Sequence, residues 1–579
     1  MTFLKQLLAT LLVATFSIIS NADSNKTLQN ALYQHDSAYL AMHGLDPVNW
    51  LVWNANTLAK AKAENKIIMV SSGYFSCHWC HVMHNENYLD NRTANYLNQH
   101  FISVKIDREL TPEGYPFYAF TYQPKPDFFL SLEKIQIFWQ RAADKITATA
   151  IAAAIPPAPI KNNDSKLTAK EFTEQMLQQL YPQMDMLSGG LTRGQGGANK
   201  FPNAPILKTL LSLNTLSEEQ QDWLTTTLDQ MQTEHLIDHV HGGFYRYTID
   251  PEWQIPHFEK MLYTQAQLAE IFFMAGKMFN RKDYKKTATE TLNYVQKRLY
   301  QANSGLYLSS QSAVDKNQIE AADYVWTEAE LKATLNPKEF AQVSKEWQLD
   351  QTAHYEIPAK GKNRQGWSPK PTEKYWASIK NKLENSTIKP ANQIPTDTKS
   401  ILGWNGLLLS AFAKGVTPDN TNRQEGQQLA NSLIKHLSTK QPARAISNQN
   451  VKMGTANIQD YAYIIQGLKD WQTTLPEKQA KTLSQQISKL EQTAKEKSLN
   501  PQGWLYSEAP LLPGQTGSWA IADDPIPSPT AILENNPHNN LQKTEAQTAL
   551  AKNPLSFASY ATTLNNNQLI PIELEEYTP

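Results

Sequence analysis

Cysteine is almost absent from this chain: Cys77 and Cys80 are the only two among 579 residues. One internal disulfide is therefore the most that the chain can form, which excludes the small scaffolds that disulfides hold together. Stability must come from buried hydrophobic cores, and the 41% content of hydrophobic residues is sufficient for this. The length allows more than one domain.

An excess of charge of either sign is also lacking. The chain has 54 Lys and Arg against 55 Asp and Glu, which leaves a net charge of -1. In addition, no cluster of Lys and Arg alternates with aromatic residues. Without a basic field of this kind, we expect no binding to nucleic acid or to an anionic membrane surface.

Long apolar runs are missing as well, apart from one near the N-terminus. Lys5 precedes an apolar run from Leu7 to Ile19, and small residues ending in Ala22 follow it. The run is shorter than the ~20 apolar residues that span a bilayer, and its flanks are typical of a signal peptide. We expect residues 1–22 to be cleaved after Ala22 and the protein to be exported, periplasmic or secreted, with no further membrane association. A retained anchor is the alternative.

Both cysteines lie in the hexapeptide "SCHWCH", residues 76–81, whose spacing allows three kinds of chemistry. C-x-x-C forms redox-active disulfides, C-x-x-C-H attaches c-type haem, and Cys with His binds zinc. Zinc requires four ligands, and beyond the cysteines only His81 and His84 lie at suitable spacing. We therefore expect no metal and no cofactor. A structural disulfide and a haem held by Cys77, Cys80 and His81 remain alternatives to the redox pair.

The segments around the cysteines follow the order of a thioredoxin-like unit. The pattern predicts a helix at 55–64, a buried strand at 66–71, a helix from Cys77 onward and a second buried strand at 101–107. A thiol at a helix start has a lowered pKa, because free N–H groups and the helix dipole favour the thiolate. We expect His78 and His81 to tune the pair, Cys77 to be the more exposed thiol with the lower pKa, and Cys80 to be buried. The two should form a disulfide without backbone movement.

Several longer motifs resemble one family, the YyaL-type, spermatogenesis-associated proteins. They are "DPVNWLVW" (46–53), "CHWCHVM" (77–83), "VKIDRE" (104–109), "GGANKFPNAPIL" (196–207), "HGGFYRYTIDPEWQIPHFEKMLYTQAQLA" (241–269), "DYVWTEAEL" (323–331), "WNGLLLSAFAKG" (404–415) and "QDYAYIIQGLKDW" (459–471). The resemblance implies an α/β thioredoxin-like domain followed by a mainly α, (α/α)6 six-hairpin toroid. We expect the first domain at 24–130, a helix and linker at 131–166, the toroid at 167–535 and a C-terminal tail at 536–579.

The chain departs from the family pattern after Leu110. In the family, a helix, a strand and a loop whose proline faces the C-x-x-C motif follow this point. Here Leu110 joins directly to Thr111, and Tyr122 follows within a dozen residues. Neither Pro112 nor Pro116 replaces the proline of that loop. We therefore expect an incomplete thioredoxin-like domain, in which the disulfide forms but exchange with protein substrates is slow or lost.

From residue 167 onward the pattern is almost entirely helical, with a period of 3.6 residues. A loop of glycine and aromatic residues recurs between helices, as "GGFYRY" at 242, "GLYL" at 305 and "GWLY" at 503. Paired helices with such returns are typical of an (α/α) toroid, independently of the resemblance. An irregular helical array is the alternative.

The predicted loops of this toroid concentrate polar and aromatic side chains. Toroids of this kind often bind sugars by aromatic stacking and carboxylate chemistry, although this is an analogy at the level of the fold. Alternatively, Glu259 caps a helix, while His257 and Arg246 hold loops together. His257 and Glu259, two residues apart at an expected helix start, should point in different directions. The candidate pocket residues are Arg246, Asp250, His257, Glu259, Tyr263, Asp397, Trp404, Asn405, Asp460 and Tyr461.

Two functions follow from these observations. The first is an exported thiol–disulfide oxidoreductase that uses Cys77 and Cys80, with a toroid that binds a protein thiol or disulfide. The second is a toroid that binds or processes a saccharide, with a thioredoxin-like remnant that is structural and redox-inactive. A scaffold with neither activity is a third interpretation.

Overall fold

The computed structural model describes most of the chain. The described residues are 29–110, 119–154, 169–192, 199–213, 215–353, 355–357, 364–417, 422–500, 503–505, 522–523, 525–534 and 553–562. The expected signal peptide, Pro112, Pro116 and the linker at 155–166 lie outside them, as does most of the expected tail. Within the described residues, no helix combines the length and the apolar character that crossing a membrane requires.

The described chain forms two compact units. The first, called here the N-terminal unit, consists of the described parts of 1–73, 79–108 and 118–148. The second, called the helical unit, consists of the described parts of 74–78, 109–117 and 149–579. The segment 74–78 contains Cys77, so the boundary between the units passes through the C-x-x-C motif, which the sequence did not lead us to expect.

The N-terminal unit is built on a parallel three-stranded sheet with the order β1-β3-β2. Its elements are α1 (Ala38–Ala41), β1 (Leu51–Val52), α2 (Ala55–Glu64), β2 (Ile67–Gly73), α3 (His78–Met83), a π-helical turn (His84–Tyr88), α4 (Asn91–His100), β3 (Phe101–Asp107) and α5 (Lys125–Ala154). Every residue of β3 is buried, as expected for a central strand with helices on its faces. Among the described residues the sheet has no further strand.

Local sequence signals account for the ends of these elements. The Asn54 side chain accepts a hydrogen bond from Thr57 N and caps α2, which Asn65 ends in the left-handed conformation. In the same way, the Asp90 carboxylate caps α4 by accepting from Thr93 N. The helix expected from Cys77 to about residue 88 is instead divided into α3 and the π-helical turn.

The helical unit is an array of paired helices. They are α6 (Ala169–Leu180), α7 (Ala204–Leu210), α8 (Glu218–Thr233), α9 (Leu262–Met278), α10 (Lys282–Arg298), α11 (Glu328–Thr334), α12 (Pro337–Glu346), α13 (Trp376–Glu384), α14 (Leu402–Gly415), α15 (Asn422–Leu437), α16 (Ile458–Gln472), α17 (Glu477–Ser498) and α18 (Pro529–Glu534). Helices α9, α14 and α16 are buried around most of their circumference and pack against each other. The amphipathic helices α10, α15 and α17 each cover one of them. This is the arrangement of an (α/α) toroid, and the predicted fold class is confirmed.

Close contact between the inner helices depends on glycine. A Cβ atom at Gly406 of α14 would lie 2.5 Å from the backbone nitrogen of Ile464 in α16. No side chain fits in such a gap, so glycine at this position allows the two backbones to approach.

Short strands join the helices, although the sequence indicated no strands in this region. They are β4 (Tyr247–Thr248), β5 (Pro256–His257), β6 (Lys260–Met261), β7 (Tyr300–Gln301), β8 (Leu306–Tyr307), β9 (Ser310–Gln311), β10 (Tyr355–Ile357), β11 (Arg364–Gly366), β12 (Lys399–Ile401), β13 (Ala445–Ser447), β14 (Lys452–Met453), β15 (Leu499–Asn500) and β16 (Gly503–Trp504). Residues 258–261, which the periodicity placed in a helix, are extended, and β6 pairs with β9. Helix α9 therefore starts only at Leu262.

Candidate functional site

The two cysteines are joined in a disulfide. Both are disulfide-bonded, and the chain contains no other cysteine with which either could pair. Cys77 directly precedes α3, and both residues are partly buried, so the expected contrast between an exposed Cys77 and a buried Cys80 is not observed. In this state neither sulfur is available for the thioether bonds of a c-type haem.

The sulfur of Cys80 lies against the end of β2. A Cβ atom at Gly73 would come within 2.6 Å of Cys80 Sγ and would also collide with the Tyr39 hydroxyl. Gly73 therefore has no room for a side chain, and strand β2 ends in direct contact with the disulfide.

The segment 74–78 packs within the helical unit. Tyr74 and Ser76 are buried, and Cys77 lies against the core that contains α9, α14 and α16. The Ser76 hydroxyl donates to Met261 Sδ at 3.3 Å, and the Tyr74 hydroxyl donates to Glu259 Oε2 at 3.0 Å. These two hydrogen bonds tie the segment before α3 to Met261, at the end of β6, and to Glu259.

Glu259 is the centre of a buried cluster of acid and base groups. Its carboxylate, 1% exposed, lies 2.9 Å from His257 Nε2 and 3.1 Å from Arg246 Nη1. Arg246 also donates to the Tyr74 hydroxyl through Nη1 and to the Tyr263 hydroxyl through Nε, the latter at 2.9 Å. The close pairing of His257 with Glu259 corrects the expectation that they diverge. Glu259 does not cap the helix that follows it, since α9 begins only at Leu262, but its Oε1 accepts from the backbone nitrogen of His78 at the start of α3 at 3.4 Å. In extended backbone, residues two apart point to the same side.

The pairing sets the charges of these groups. Burial raises the pKa of Glu259, but the charges and hydrogen bonds of His257 and Arg246 outweigh burial and lower it to about 2. Conversely, burial lowers the pKa of His257, but Glu259 and Glu320 outweigh it and raise the value to about 9. At neutral pH, therefore, Glu259 is an anion and His257 is a cation.

Glu320 connects this cluster to the C-x-x-C motif. Its carboxylate lies 3.3 Å from His257 Nδ1 and 3.4 Å from His78 Nε2. The rings of His78 and His257 meet edge to face, with centroids 6.0 Å apart. Burial lowers the pKa of His78, so the expectation that a protonated His78 favours the Cys77 thiolate loses support.

A cavity of about 570 Å³ adjoins the cluster. Arg246 and Tyr263 line it, together with Phe201, Asn203 and Gln267. The Arg246 side chain is 24% exposed, and it connects the cavity to buried Glu259. His257 and Glu259 do not reach the cavity surface.

Two of the other candidates have structural contacts. The Asp250 carboxylate accepts from the backbone nitrogens of Glu252, Gln254 and Ile255, and thereby fixes a turn. Asn405 bonds both the backbone nitrogen and the backbone oxygen of Tyr307, at 2.8 and 3.0 Å.

The remaining candidates are also buried. Asp460 caps α16 and pairs with Arg444 at 3.1 Å, and Asp397 pairs with Lys399. Trp404 lies edge to face with Tyr263, at a centroid distance of 4.9 Å, and Tyr461 is fully buried. The structure therefore brings Arg246, His257, Glu259 and Tyr263 together and places Trp404 beside them.

Sequence reasoning missed Tyr74 and Glu320. Tyr74 offered a signal, an aromatic hydroxyl three residues before Cys77, that the sequence analysis did not use. Glu320 carried no signal, because only tertiary packing brings it to His78 and His257.

The N-terminal unit contains a buried lysine that the sequence analysis also missed. Lys105 on β3 donates to Ser71 Oγ at 3.1 Å, and its ammonium lies 4.5 Å from the ring centroid of Tyr88 and 4.8 Å from that of Trp50. Burial lowers its pKa to about 7, although the Asp46 carboxylate opposes the shift.

Comparisons with known proteins give matches to both units. Residues 29–113 match the family model Thioredox_DsbH, described as a protein of unknown function, DUF255. An uncharacterized protein of Caenorhabditis elegans, B0495.5, is 26% identical, and the match covers 88% of this chain and 80% of the worm protein. Spermatogenesis-associated protein 20 of Homo sapiens is 32% identical over 53% of this chain and 44% of its own length. The chain thus spans less than half of the human relative.

Solved structures resemble the chain at lower identity. A cellobiose 2-epimerase from Spirochaeta thermophila is 13% identical with a TM-score of 0.39, and the match covers 68% of this chain and 83% of the epimerase. A GH76 α-mannanase from Bacteroides thetaiotaomicron is 10% identical with a TM-score of 0.37, covering 70% of this chain and 84% of the mannanase.

Proposed function

Since these matches confirm the resemblance of the chain to the YyaL-type, spermatogenesis-associated family, we propose that the protein is an exported thiol–disulfide oxidoreductase. Its reactive pair is Cys77 and Cys80, and its helical unit binds the partner that carries the thiols or the disulfide. The observation that supports the proposal most strongly is the disulfide itself, which joins Cys77, directly before α3, to Cys80 in the first turn of α3.

The reaction transfers two electrons between two pairs of sulfur atoms. In the reduced protein, the Cys77 thiolate attacks one sulfur of a substrate disulfide, and the other substrate sulfur leaves as a thiolate. The Cys80 thiolate then attacks Cys77 Sγ in the mixed disulfide and releases the second substrate thiolate. The protein ends with the Cys77–Cys80 disulfide, and the substrate ends as a dithiol. The same steps in reverse oxidise a substrate dithiol.

The Glu259 cluster has a positioning role in this proposal. Glu259 pairs with Arg246 and with His257, which also pairs with Glu320. Hydrogen bonds from this cluster hold Tyr74 and the backbone of His78. Cys77 lies between these two residues and is positioned by them.

Turnover with a model disulfide tests the proposal. The reduced wild-type protein should reduce a small aromatic disulfide, and Cys77→Ser should abolish this activity. Cys80→Ser should form a stable mixed disulfide instead, because Cys77 can still attack but no second thiolate resolves the product. Wild-type protein that gives no turnover, with no mixed disulfide in Cys80→Ser, would refute the assignment.

A second candidate function is the binding of a saccharide in the cavity of the helical unit. The cavity volume lies in the range of small-molecule sites, and Phe201 and Arg246 on its wall offer a stacking face and hydrogen-bond donors. Saturation-transfer NMR with a panel of neutral mono- and disaccharides tests this, with Phe201→Ala as the variant that should lose binding. Redox turnover combined with no saccharide binding would leave only the first function.

A further inference from the structure

A second group of side chains in the N-terminal unit has the composition of a metal site. His43, Asp46 and His84 each offer one ligand atom, and these atoms lie within 4.8 Å of one another. Their side chains are 1%, 3% and 12% exposed. His43 and Asp46 lie more than thirty residues before Cys77, whereas His84 lies four residues after Cys80. The proposed redox reaction makes no use of the group.

Two unrelated segments build this group. His43 and Asp46 lie in the tight turn after α1, where His43 N donates to Leu40 O and Asp46 N donates to His43 O. His84 begins the π-helical turn after α3. Turns of this kind are rare in proteins. Those that do occur are often found at functional sites, because the wider turn changes the direction of a side chain. Here the redirected side chain is the third member of the group.

The contacts orient both imidazoles toward the carboxylate. His43 Nδ1 lies 2.9 Å from Asp46 Oδ2, and His84 Nε2 lies 2.8 Å from Asp46 Oδ1. The Trp50 indole N–H donates to Asp46 Oδ2 at 2.9 Å and thereby fixes the position of the carboxylate. A hydrogen bond of this kind to a ligating carboxylate is typical of metal sites.

We propose that His43, Asp46 and His84 bind a divalent transition-metal ion, with Zn²⁺ as the best fit. Two imidazole nitrogens and one carboxylate oxygen form the three-ligand set of open zinc sites, which leaves a position for water or another ligand. The inference departs from the sequence analysis, which expected no metal because it considered only ligands near the cysteines. It is independent of the proposed redox function.

The positions of the protons on the two imidazole rings allow metal binding. A neutral ring in either position can donate to Asp46 only from His43 Nδ1 or His84 Nε2, and metal binding through these nitrogens requires the proton to move to the opposite ring nitrogen. Those nitrogens, His43 Nε2 and His84 Nδ1, have no hydrogen-bond partner among the described residues. The tautomer change therefore breaks no other hydrogen bond. No fixed acceptor supports the relocated protons, so we expect micromolar rather than tighter affinity.

Lys105 provides an electrostatic test of the same site. The Lys105 ammonium stacks over the Trp50 ring that lies behind Asp46, and its charge acts on both His43 and Asp46. A bound dication would be repelled by this ammonium. Lys105→Met should therefore bind the metal several-fold more tightly than the wild-type protein.

Calorimetric titration with ZnCl₂ and visible absorption with CoCl₂ test the proposal on the full, oxidised chain. We expect one saturable ion per chain, with affinity reduced roughly ten-fold or more in His84→Asn. His100→Asn, which changes a histidine on α4 outside the group, should bind as the wild type does. The double variant Cys77→Ser/Cys80→Ser should also bind, which excludes the thiols as ligands.

Three results would overturn the inference. They are the absence of saturable binding to wild-type protein, unchanged affinity in His84→Asn, and loss of binding in the double cysteine variant. Circular dichroism of each variant verifies its folding. If His84→Asn does not fold, Lys105→Met decides, because affinity that does not rise in this variant contradicts a site at Asp46.

Discussion

Glu259 connects several parts of the candidate site through a single carboxylate. Its two oxygens contact a histidine, an arginine and a tyrosine hydroxyl, and its side chain has almost no access to water. A buried ion pair is weak evidence for stability in itself, but removal of one partner leaves the other charge without compensation. Substitution of Glu259 should therefore lower the stability of the protein strongly.

Glu259→Gln should lower the free energy of unfolding by about 3 kcal/mol at pH 6. The change leaves Arg246 and His257 without their shared anion, although Glu320 still pairs with His257. Urea unfolding measures the loss, and the exposed Glu252→Gln is the matched control, for which we expect almost no change. Equal stability of the two variants would show that the cluster contributes little to the free energy of unfolding.

The buried Lys105 predicts a dependence of stability on pH. Its pKa is about 7 in the folded protein and near 10.4 when unfolded, so the unfolded chain binds more protons between these values. Stability must then rise with pH across this window, on the order of 2 kcal/mol between pH 7 and 9. His257 acts in the opposite direction, because its raised pKa contributes stability that is lost as pH rises through about 9.

Comparison with Lys105→Met isolates the lysine, because the contribution of His257 is present in both proteins. The free energy of unfolding of Lys105→Met minus that of the wild type should fall by about 2 kcal/mol from pH 7 to pH 9. Lys62→Met, on the exposed face of α2, should differ from the wild type by a constant amount. A parallel shift in both variants would contradict a depressed pKa at Lys105.

At the scale of elements, the contact between β2 and the disulfide leaves no room for a side chain. Gly73 ends β2 without room for a methyl group beside Cys80 Sγ. Gly73→Ala should therefore destabilise the oxidised protein by about 1–3 kcal/mol, since the sulfur or the strand must shift. Thermal unfolding of the oxidised form measures this. Ser72→Ala, on the exposed side of the same strand, should be nearly neutral.

The elements also show what sequence reasoning can provide. Helix α2 and strands β2 and β3 fall within two residues of the prediction, because the β-branched runs and the Asn54 and Asn65 caps are local signals. Residues 258–261 were wrongly assigned to a helix, since the pairing of β6 with β9 depends on residues about fifty positions away. The same limit explains His84, whose approach to His43 and Asp46 requires a folded sheet.

At the scale of the whole molecule, the chain combines a shortened thioredoxin-like unit with an (α/α) toroid. Both were expected from the ordered family motifs. What the motifs did not indicate is that residues 74–78, including Cys77, pack within the helical unit. The environment of Cys77 is therefore set in part by Glu259 and by the core that contains α9 and α14.

The central claim is that Cys77 and Cys80 form a redox pair rather than a structural staple. Equilibration of the protein in thiol–disulfide buffers of graded potential, followed by alkylation and mass spectrometry, measures this most directly. We expect one two-electron transition between about −180 and −270 mV, the range of catalytic dithiols. A disulfide that remains closed below about −300 mV would be a structural one, and that result would contradict the account.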